Sequence, residues 1–503
     1  MNPIRGLVVV STVAAAVVEA YLANAYTPHL FWVSLALFAL MLAAGQRLRS
    51  LSLPIVMAAI YLMPAIFLTT VGARLGGYGL DIIWIMPLLG VILSDRGALQ
   101  WSLPARWQWP LVTWALVVAI AWPIVFLREA NFALWILPLQ RVSNTSIGIS
   151  PWEVGQNVAY FAVGHTVGIL FIDALFRWYA GDQARFRRDV LATMAMAAGI
   201  ASIVAVYQGL VDLSFLNTGF WTYMIRASGT LADPNKLGAV VAFWTIGAVV
   251  LARRLTQPWS MVVTVVALML GTGAVWLCGS RTGLVAVAVS MAIAAWESFR
   301  AWRSTRATPR ADTKRIITIV AAAVVLVIGL IVVLQNASTH TVIARGSWTY
   351  IPFYGDKSVG ESVNELLWER FGYGPAAIEM IKEHPIDGIG VGTYHALSHD
   401  FGKLRGYSLV PDNAQNWFRH TFAELGLIGS VPVLWWCVVL ARLMLSRPAG
   451  DRLSFGMLRG VLIGFGVASM FGMPAQSMAI VITFWAFVFW LCSPQIEHRL
   501  DTD

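Results

Sequence analysis

The chain has 503 residues, of which 58% are hydrophobic and 12% charged, and its formal net charge is +9. This composition is typical of a protein that crosses a membrane many times and excludes an ordinary soluble domain. The positive charge indicates membrane orientation and contact with anionic lipid headgroups rather than nucleic-acid binding.

Apolar runs follow one another along almost the whole chain, and most approach the length of a membrane-spanning helix, about 20 residues. They lie near 7–23, 29–44, 53–72, 80–94, 110–127, 154–176, 190–210, 236–252, 259–278, 282–296, 316–334, 426–445, 456–472 and 475–492. No alternating pattern of barrel strands is visible, and only helices or closed barrels satisfy their backbone in lipid. The sequence predicts an all-α polytopic membrane protein of about 12–14 transmembrane helices with one long periplasmic loop.

Three polar segments interrupt the apolar runs, near 128–153, 211–235 and 335–425. The longest divides the chain into three predicted parts. Residues 1–334 carry transmembrane helices 1–11, residues 335–425 form a loop domain with short helices, and residues 426–503 carry the last three transmembrane helices and a short tail. Lys and Arg concentrate in the short loops of one side, which predicts that both termini are cytoplasmic.

Within the long loop, Glu361–Glu383 has the apolar spacing of a helix. The pattern predicts a helix on the membrane surface or over a cavity, with a plain strut as the alternative. Gly372, Gly374 and Pro375 are expected to break it in the middle.

Two arginines, Arg226 and Arg281, lie near predicted helix starts on the same predicted side of the membrane as the long loop. Ser, Thr and Gly flank each of them. A guanidinium binds phosphate oxygens in a bidentate way, and a helix start directs N–H groups at an anion. The pattern predicts a diphosphate site, and no metal-ligand spacing accompanies it. The alternative is that each arginine snorkels or pairs with Asp233 or Glu153.

The segment Asp412–Glu424 precedes another apolar run and is rich in polar side chains. If it is helical, Asp412 and Asn416 share one face with Arg419 or His420. Such a face suits a sugar and a proton acceptor. The alternative is that Asp412 and Asn413 cap the helix and the other polar residues are ordinary surface.

These residues resemble the O-antigen ligase and polymerase superfamily of bacterial envelope glycosyltransferases. The resemblance covers roughly 190–445 and rests on motifs that keep one order along the chain. They are Arg226-x-x-Gly229 with Asp233-Pro234-Asn235, the pair Ser280-Arg281, the loop elements Arg370, His384-Pro385 and Gly388-x-Gly390-x-Gly392, and Asn416 with Glu424-x-Gly426-x-x-Gly429.

The resemblance implies a multi-pass enzyme of the bacterial inner (cytoplasmic) membrane that works at its periplasmic face. Such enzymes move a glycan from a polyprenyl-diphosphate carrier to an acceptor hydroxyl, on the lipid A core for a ligase or on the growing glycan for a polymerase. The carrier supplies the energy, so neither a cofactor nor a metal is expected. The substrate-binding residues carried over are Arg226, Arg281, Arg370, Asn235 and Asn416.

One position departs from the family pattern. Gln415 stands where the family has the His that is proposed to help activate the acceptor, and a Gln side chain cannot take a proton at neutral pH. Candidate catalytic residues are therefore Gln415, His420 and Asp412. Either His420 or Asp412 replaces the family His, or positioning and leaving-group stabilisation are sufficient, or the chain has changed substrate or lost activity.

A transporter or flippase of an anionic lipid or solute is the leading alternative function, because it also needs many helices and intramembrane arginines. It predicts charged residues deep in several spans, for which Glu19, Asp173 and Arg459 are the main candidates. A non-catalytic envelope scaffold is less favoured, since no cytoplasmic output domain is visible.

Overall fold

A computed structural model describes residues 2–23, 29–71, 81–95, 97–131, 151–304, 361, 364–409, 412–446, 451–473 and 477–500. Within these residues the regular structure is helical. Nine helices are long and apolar enough to cross a membrane, and three shorter apolar helices accompany them. The all-α polytopic fold class is confirmed. The predicted run at 316–334 and the first part of the long loop lie outside the described residues.

The helices of the first half are α1 Pro3–Ala23, α2 Leu30–Ala44, α3 Arg49–Val71, α4 Ile82–Leu93, α5 Ala105–Asn131, α6 Pro151–Tyr179, α7 Gln183–Leu210 and the short α8 Gly219–Tyr223. Those of the second half are α9 Pro234–Ala252, α10 Gln257–Cys278, α11 Arg281–Ser304, α12 Tyr373–Glu383, α13 Tyr394–Lys403, α14 Trp417–Leu445, α15 Arg452–Ala468 and α16 Met478–Leu500.

Small residues let α9, α11 and α15 pack closely. A Cβ at Gly283 would lie 2.7–2.8 Å from the backbone of Gly238, so α9 and α11 cross almost backbone to backbone. Gly456, Gly460 and Gly464 recur every four residues along α15 and lie against α11. This spacing is a common helix-packing device in membranes, where close van der Waals contact replaces the hydrophobic effect as the driving force.

The polar segment between α11 and α14 is held against the bundle by a break in α14. Gly426 has φ 56° and ψ −162°, a conformation open only to glycine, which interrupts the helical hydrogen bonds. The freed carbonyl groups of Ala423 and Glu424 accept from the N–H groups of Ile389 and Gly390, at 2.9 and 3.0 Å. The segment thereby satisfies backbone groups that would otherwise be orphaned inside the protein.

The same segment also contacts the ends of two other helices. A Cβ at Gly390 would meet Val125 of α5, and one at Gly392 would meet the backbone of Val158 in α6. Arg128 Nη2, near the end of α5, donates to the carbonyl oxygen of Ile389 at 2.9 Å. The segment therefore covers one end of the helix bundle, which we name the loop end.

The predicted helix Glu361–Glu383 breaks at Gly372 as expected, but not at Gly374 and Pro375. Its interruption falls at Arg370, Phe371 and Gly372, whose φ angles are 45°, 59° and 102°. Gly374 and Pro375 lie in the first turn of α12, where a proline is tolerated because its missing N–H has no helical partner in any case. The placement of the break at Gly374 and Pro375 was wrong for this reason.

Candidate functional site

Arg226 lies between α8 and α9, and its guanidinium reaches the end of α10. Nε donates to the carbonyl oxygen of Cys278 at 2.8 Å, and Nη2 donates to Asn235 Oδ1 at 2.9 Å. The guanidinium carbon also lies 5.3 Å from the ring centre of Trp221, within cation–π distance. Arg226 is thus held by carbonyl dipoles, an amide and an aromatic face.

Asn235 follows the cap of α9. Asp233 Oδ1 accepts from the N–H groups of Asn235 and Lys236 at 2.6 and 3.0 Å, and Pro234 occupies the first helical position. Asp233 therefore caps α9. It does not form the ion pair with Arg226 that one alternative had predicted. The cap fixes the backbone from which Asn235 reaches Arg226.

Arg281 is the first residue of α11. The preceding Ser280 is fully buried, and its Oγ accepts from the N–H of Gly283 at 3.2 Å. Because the carbonyl groups that hold Arg226 belong to Cys278 and Gly279, the two arginines flank the same tight connection between α10 and α11. They lie together at the loop end.

Arg370 belongs to the same group of cations although it comes from the long loop. It is 8% exposed, and Nη2 donates to the carbonyl oxygen of Phe471 at 2.6 Å and to Gln415 Oε1 at 3.1 Å. Burial, together with the positive charges of Arg281 and Arg419, lowers its pKa to about 10. Three guanidinium groups therefore share one region of positive potential.

Gln415 connects Arg370 to Asp412. Its amide Nε2 donates to Asp412 Oδ2 at 2.8 Å while its Oε1 accepts from Arg370. Burial raises the pKa of Asp412, and hydrogen bonds from the Asn413 backbone and Gln415 partly oppose this. The Gln415 amide therefore links Asp412, whose proton affinity is raised, to the guanidinium group of Arg370.

Asn416, and neither Asp412 nor Asn413, caps α14. Asn416 Oδ1 accepts from the N–H of Arg419 at 2.9 Å, and α14 begins only at Trp417. The expected helical face shared by Asp412 and Asn416 was therefore wrong, because Asp412 precedes the helix. Asn416 Nδ2 also donates to the carbonyl oxygen of Met470 at 2.9 Å, next to the Phe471 carbonyl that holds Arg370.

His420 is enclosed in the protein. It is 3% exposed, and its ring lies 4.8 Å from that of Tyr394 and 5.6 Å from that of Phe161. Nδ1 accepts from the N–H of Ala414 at 3.4 Å, and Nε2 lies 3.2 Å from Glu424 Oε1. Both ring nitrogens therefore face protein groups, which suits a positioning role better than contact with a substrate.

The sequence named Arg419 only as an alternative to His420 on a predicted helical face, and not among the substrate-binding residues. It is 8% exposed; Nη1 donates to the carbonyl oxygen of Trp368 at 2.9 Å, and the guanidinium carbon lies 5.6 Å from the Trp368 ring centre. A buried arginine near Arg370 adds to the positive potential. The one sequence signal was its position three residues after the capping Asn416.

The described residues include no group of three or more His, Cys, Asp or Glu side chains that could hold a metal ion. The polar groups described above for the loop end are guanidinium groups, amides, backbone carbonyls and the carboxyl group of Asp412, whose pKa is raised.

Comparison with known proteins finds a family match in part of this region. Residues 266–434 match the family model described as O-antigen ligase. Over these residues the chain is similar to the O-antigen ligase family. No curated protein matches the chain. The match supports a ligase-like or polymerase-like role on glycans and, with the apolar helices, a multi-pass membrane protein.

The region that matches the O-antigen ligase model contains Arg281, Arg370, Asp412 and Gln415, whereas Arg226 lies outside it. The hydrogen bonds from Arg226 to the end of α10 join the unmatched part to the matched part.

Proposed function

We propose that the protein is an inner-membrane glycosyltransferase with cytoplasmic termini. In this proposal it moves a glycan from a polyprenyl-diphosphate carrier to an acceptor hydroxyl at the periplasmic face, and the loop end is its active site. The transfer is independent of metal, and the acceptor is a lipid A core sugar or a growing glycan. The single observation that carries the proposal is the group Arg226, Arg281 and Arg370 at the loop end of a chain with an O-antigen ligase match.

The electrostatics of these arginines support anion binding. Among the residues that the structure describes, Arg226 and Arg370 form no salt bridge with a carboxylate, and their N–H groups donate to carbonyl and amide oxygens. Dipoles orient a guanidinium without cancelling its charge, so positive potential stays available for an incoming diphosphate. Burial and the neighbouring charges of Arg281 and Arg419 lower the pKa of Arg370, and the nearby Asp412 opposes this shift only in part.

Bond cleavage increases the need for this positive potential. The acceptor oxygen attacks the anomeric carbon with inversion, and the bond from that carbon to the carrier diphosphate breaks. The bonding electron pair leaves with the diphosphate. Negative charge on the leaving group grows towards the transition state, so Arg226, Arg281 and Arg370 bind the transition state more strongly than the donor.

The proton of the acceptor hydroxyl has to go to a base, and Asp412 fits this role better than His420. The pKa of Asp412 is raised by burial, which makes the ionised carboxylate a stronger proton acceptor. Gln415 holds Asp412 Oδ2 through its Nε2–H, so in this proposal Gln415 positions the base rather than acting as one. His420 supports the fold around the site through its contacts with Tyr394 and Glu424.

Asn235 and Asn416 complete the proposed substrate-binding group. One side-chain oxygen of each is already hydrogen-bonded. Asn235 Oδ1 accepts from Arg226, and Asn416 Oδ1 accepts from the N–H of Arg419 at the start of α14. In the proposal they hold the arginines and the loop in position around the diphosphate and the first sugar.

A transporter or flippase of an anionic lipid is the second candidate. Charged side chains such as Glu19 and Asp173 are fully buried in helices, as that function would predict. Deletion of the gene in its host separates the candidates on a gel of surface polysaccharide. Loss of long glycan from lipid A indicates a ligase, single-repeat products indicate a polymerase, and an unchanged ladder contradicts the proposed glycan transfer.

A further inference from the structure

A second group of polar side chains lies inside the bundle. Glu19, in the penultimate turn of α1, is 0% exposed, and neither carboxyl oxygen has a hydrogen-bond partner among the residues that the structure describes. An ionised carboxylate without hydrogen-bond donors is strongly unfavourable inside a protein. Glu19 therefore needs a compensating charge or a proton.

The groups that act electrostatically on Glu19 are Asp81 and Lys236. Lys236 Nζ lies 3.2 and 3.3 Å from the two carboxyl oxygens of Asp81, and both residues are buried. Asp81 Oδ2 also accepts from the hydroxyl of Tyr160 at 3.0 Å and from the N–H of Met478 at 3.3 Å. The ammonium group and the surrounding donors are thus directed at Asp81, not at Glu19.

The other elements packed against α1 do not offset this imbalance in the described part of the chain. Helix α2, Leu30–Ala44, contains no charged residue. Arg128 of α5 donates to the carbonyl oxygen of Ile389, and Tyr160 of α6 donates to Asp81. Two carboxyl groups therefore face one ammonium group. With both acids ionised, the group Glu19, Asp81 and Lys236 would carry a net negative charge.

We infer that Glu19, Asp81 and Lys236 form a proton-binding site inside the membrane domain. Glu19 holds one proton, and the Asp81–Lys236 ion pair stays intact beside it. The proton cancels the excess negative charge of this group and leaves the Asp81–Lys236 ion pair undisturbed. The inference does not depend on glycan transfer.

The position of Lys236 gives the site a consequence for the loop end. Lys236 directly follows Asn235, whose Oδ1 accepts from Arg226. Loss of the proton would place a second carboxylate in competition for Lys236 and would disturb the first turn of α9. Protonation of Glu19 thereby keeps Asn235 in position for Arg226.

Infrared spectroscopy of the full chain in lipid nanodiscs tests the proton directly. At neutral pH the unmodified protein is expected to show the carbonyl stretch of a protonated carboxyl group, and Glu19→Gln to lose that component. Asp173→Asn is the matched control, because Asp173 is equally buried but paired with Arg5 and Arg177 at 2.6 Å each. The control should retain the component. A spectrum in which Glu19→Gln removes nothing would overturn the inference.

A second measurement covers the case in which a variant folds poorly. Carbon-13 labelling of glutamate in the unmodified chain should shift the protonated-carboxyl band at neutral pH. The shift distinguishes a protonated glutamate from a protonated aspartate such as Asp412. A band that does not move contradicts a protonated Glu19. The apparent Tm of the unmodified protein should also fall at alkaline pH, as the buried proton is lost, more steeply than that of Glu19→Gln. Parallel Tm profiles would contradict the site as well.

Discussion

The two ends of the helix bundle use arginine in opposite ways. At the end away from the loop, Arg5 and Arg177 each lie 2.6 Å from Asp173, and Arg49 and Arg177 lie 3.7 and 3.6 Å from Asp95. At the loop end, Arg226, Arg370 and Arg419 donate hydrogen bonds to carbonyl and amide oxygens. Carboxylates neutralise the first group and make it structural. Dipoles orient the second group and leave its charge for a ligand.

The largest expected effect is the loss of a loop-end arginine. Arg226→Ala, Arg281→Ala and Arg370→Ala should each lower the rate of glycan transfer on the order of 10³-fold, because each removes a donor to the departing diphosphate. Transfer from a polyprenyl-diphosphate donor, measured with purified protein in nanodiscs, checks this.

Arg405→Ala is the matched control for these variants. Arg405 belongs to the same loop but is exposed and pairs with Glu379, so its charge is already compensated. Its removal should leave transfer unchanged. Wild-type transfer by any of the three loop-end variants would exclude that arginine from the site.

An arginine of the opposite end should affect stability instead of transfer. Arg5→Ala leaves Asp173 buried with one partner fewer, and breaking a buried ion pair costs about 3–5 kcal/mol. We expect a lower apparent Tm but an unchanged rate per folded molecule. If Arg5→Ala kept a normal Tm but lost transfer, the proposed difference between the two ends of the bundle would be contradicted.

The acid limb of the pH–rate profile tests Asp412. A general base has to be ionised, and burial raises the pKa of Asp412, so the transfer rate should rise with pH through a value above that of an ordinary aspartate. Asp412→Asn should lower the rate about 100-fold and remove this limb. An unaltered limb in the variant would point to another base.

The smallest expected effect belongs to Gln415→His. An imidazole can keep one hydrogen bond to Asp412 or Arg370 and can also accept a proton, so we predict tolerance or a gain in transfer. Steady-state rates at several pH values measure this. Complete loss would show that the position has taken a different role in this chain.

The sequence predicted the helices better than it predicted the site. Apolar runs are long and local, so thirteen of the fourteen predicted segments coincide with described helices, and the fourteenth lies outside the described residues. Arg226 and Arg281 could be proposed from the sequence because small flanking residues and helix starts are also local signals.

The remaining site residues depend on contacts between distant segments. The positive φ of Arg370 and the capping of α14 by Asn416 follow from how the loop meets Met470 and Phe471, which no local pattern encodes. The Asp81–Lys236 pair joins residues 155 positions apart. Glu19 was visible as a charge in an apolar run, but its lack of hydrogen-bond donors was not.

Diphosphate binding at the loop end is tested most directly by calorimetry with a soluble diphosphate, such as inorganic pyrophosphate, on the full chain in nanodiscs. The account predicts binding that weakens with salt, loses at least about tenfold in affinity in Arg370→Ala, and is unchanged in Arg405→Ala. Equal affinity in all three proteins would show that the loop-end guanidinium groups do not form an anion site.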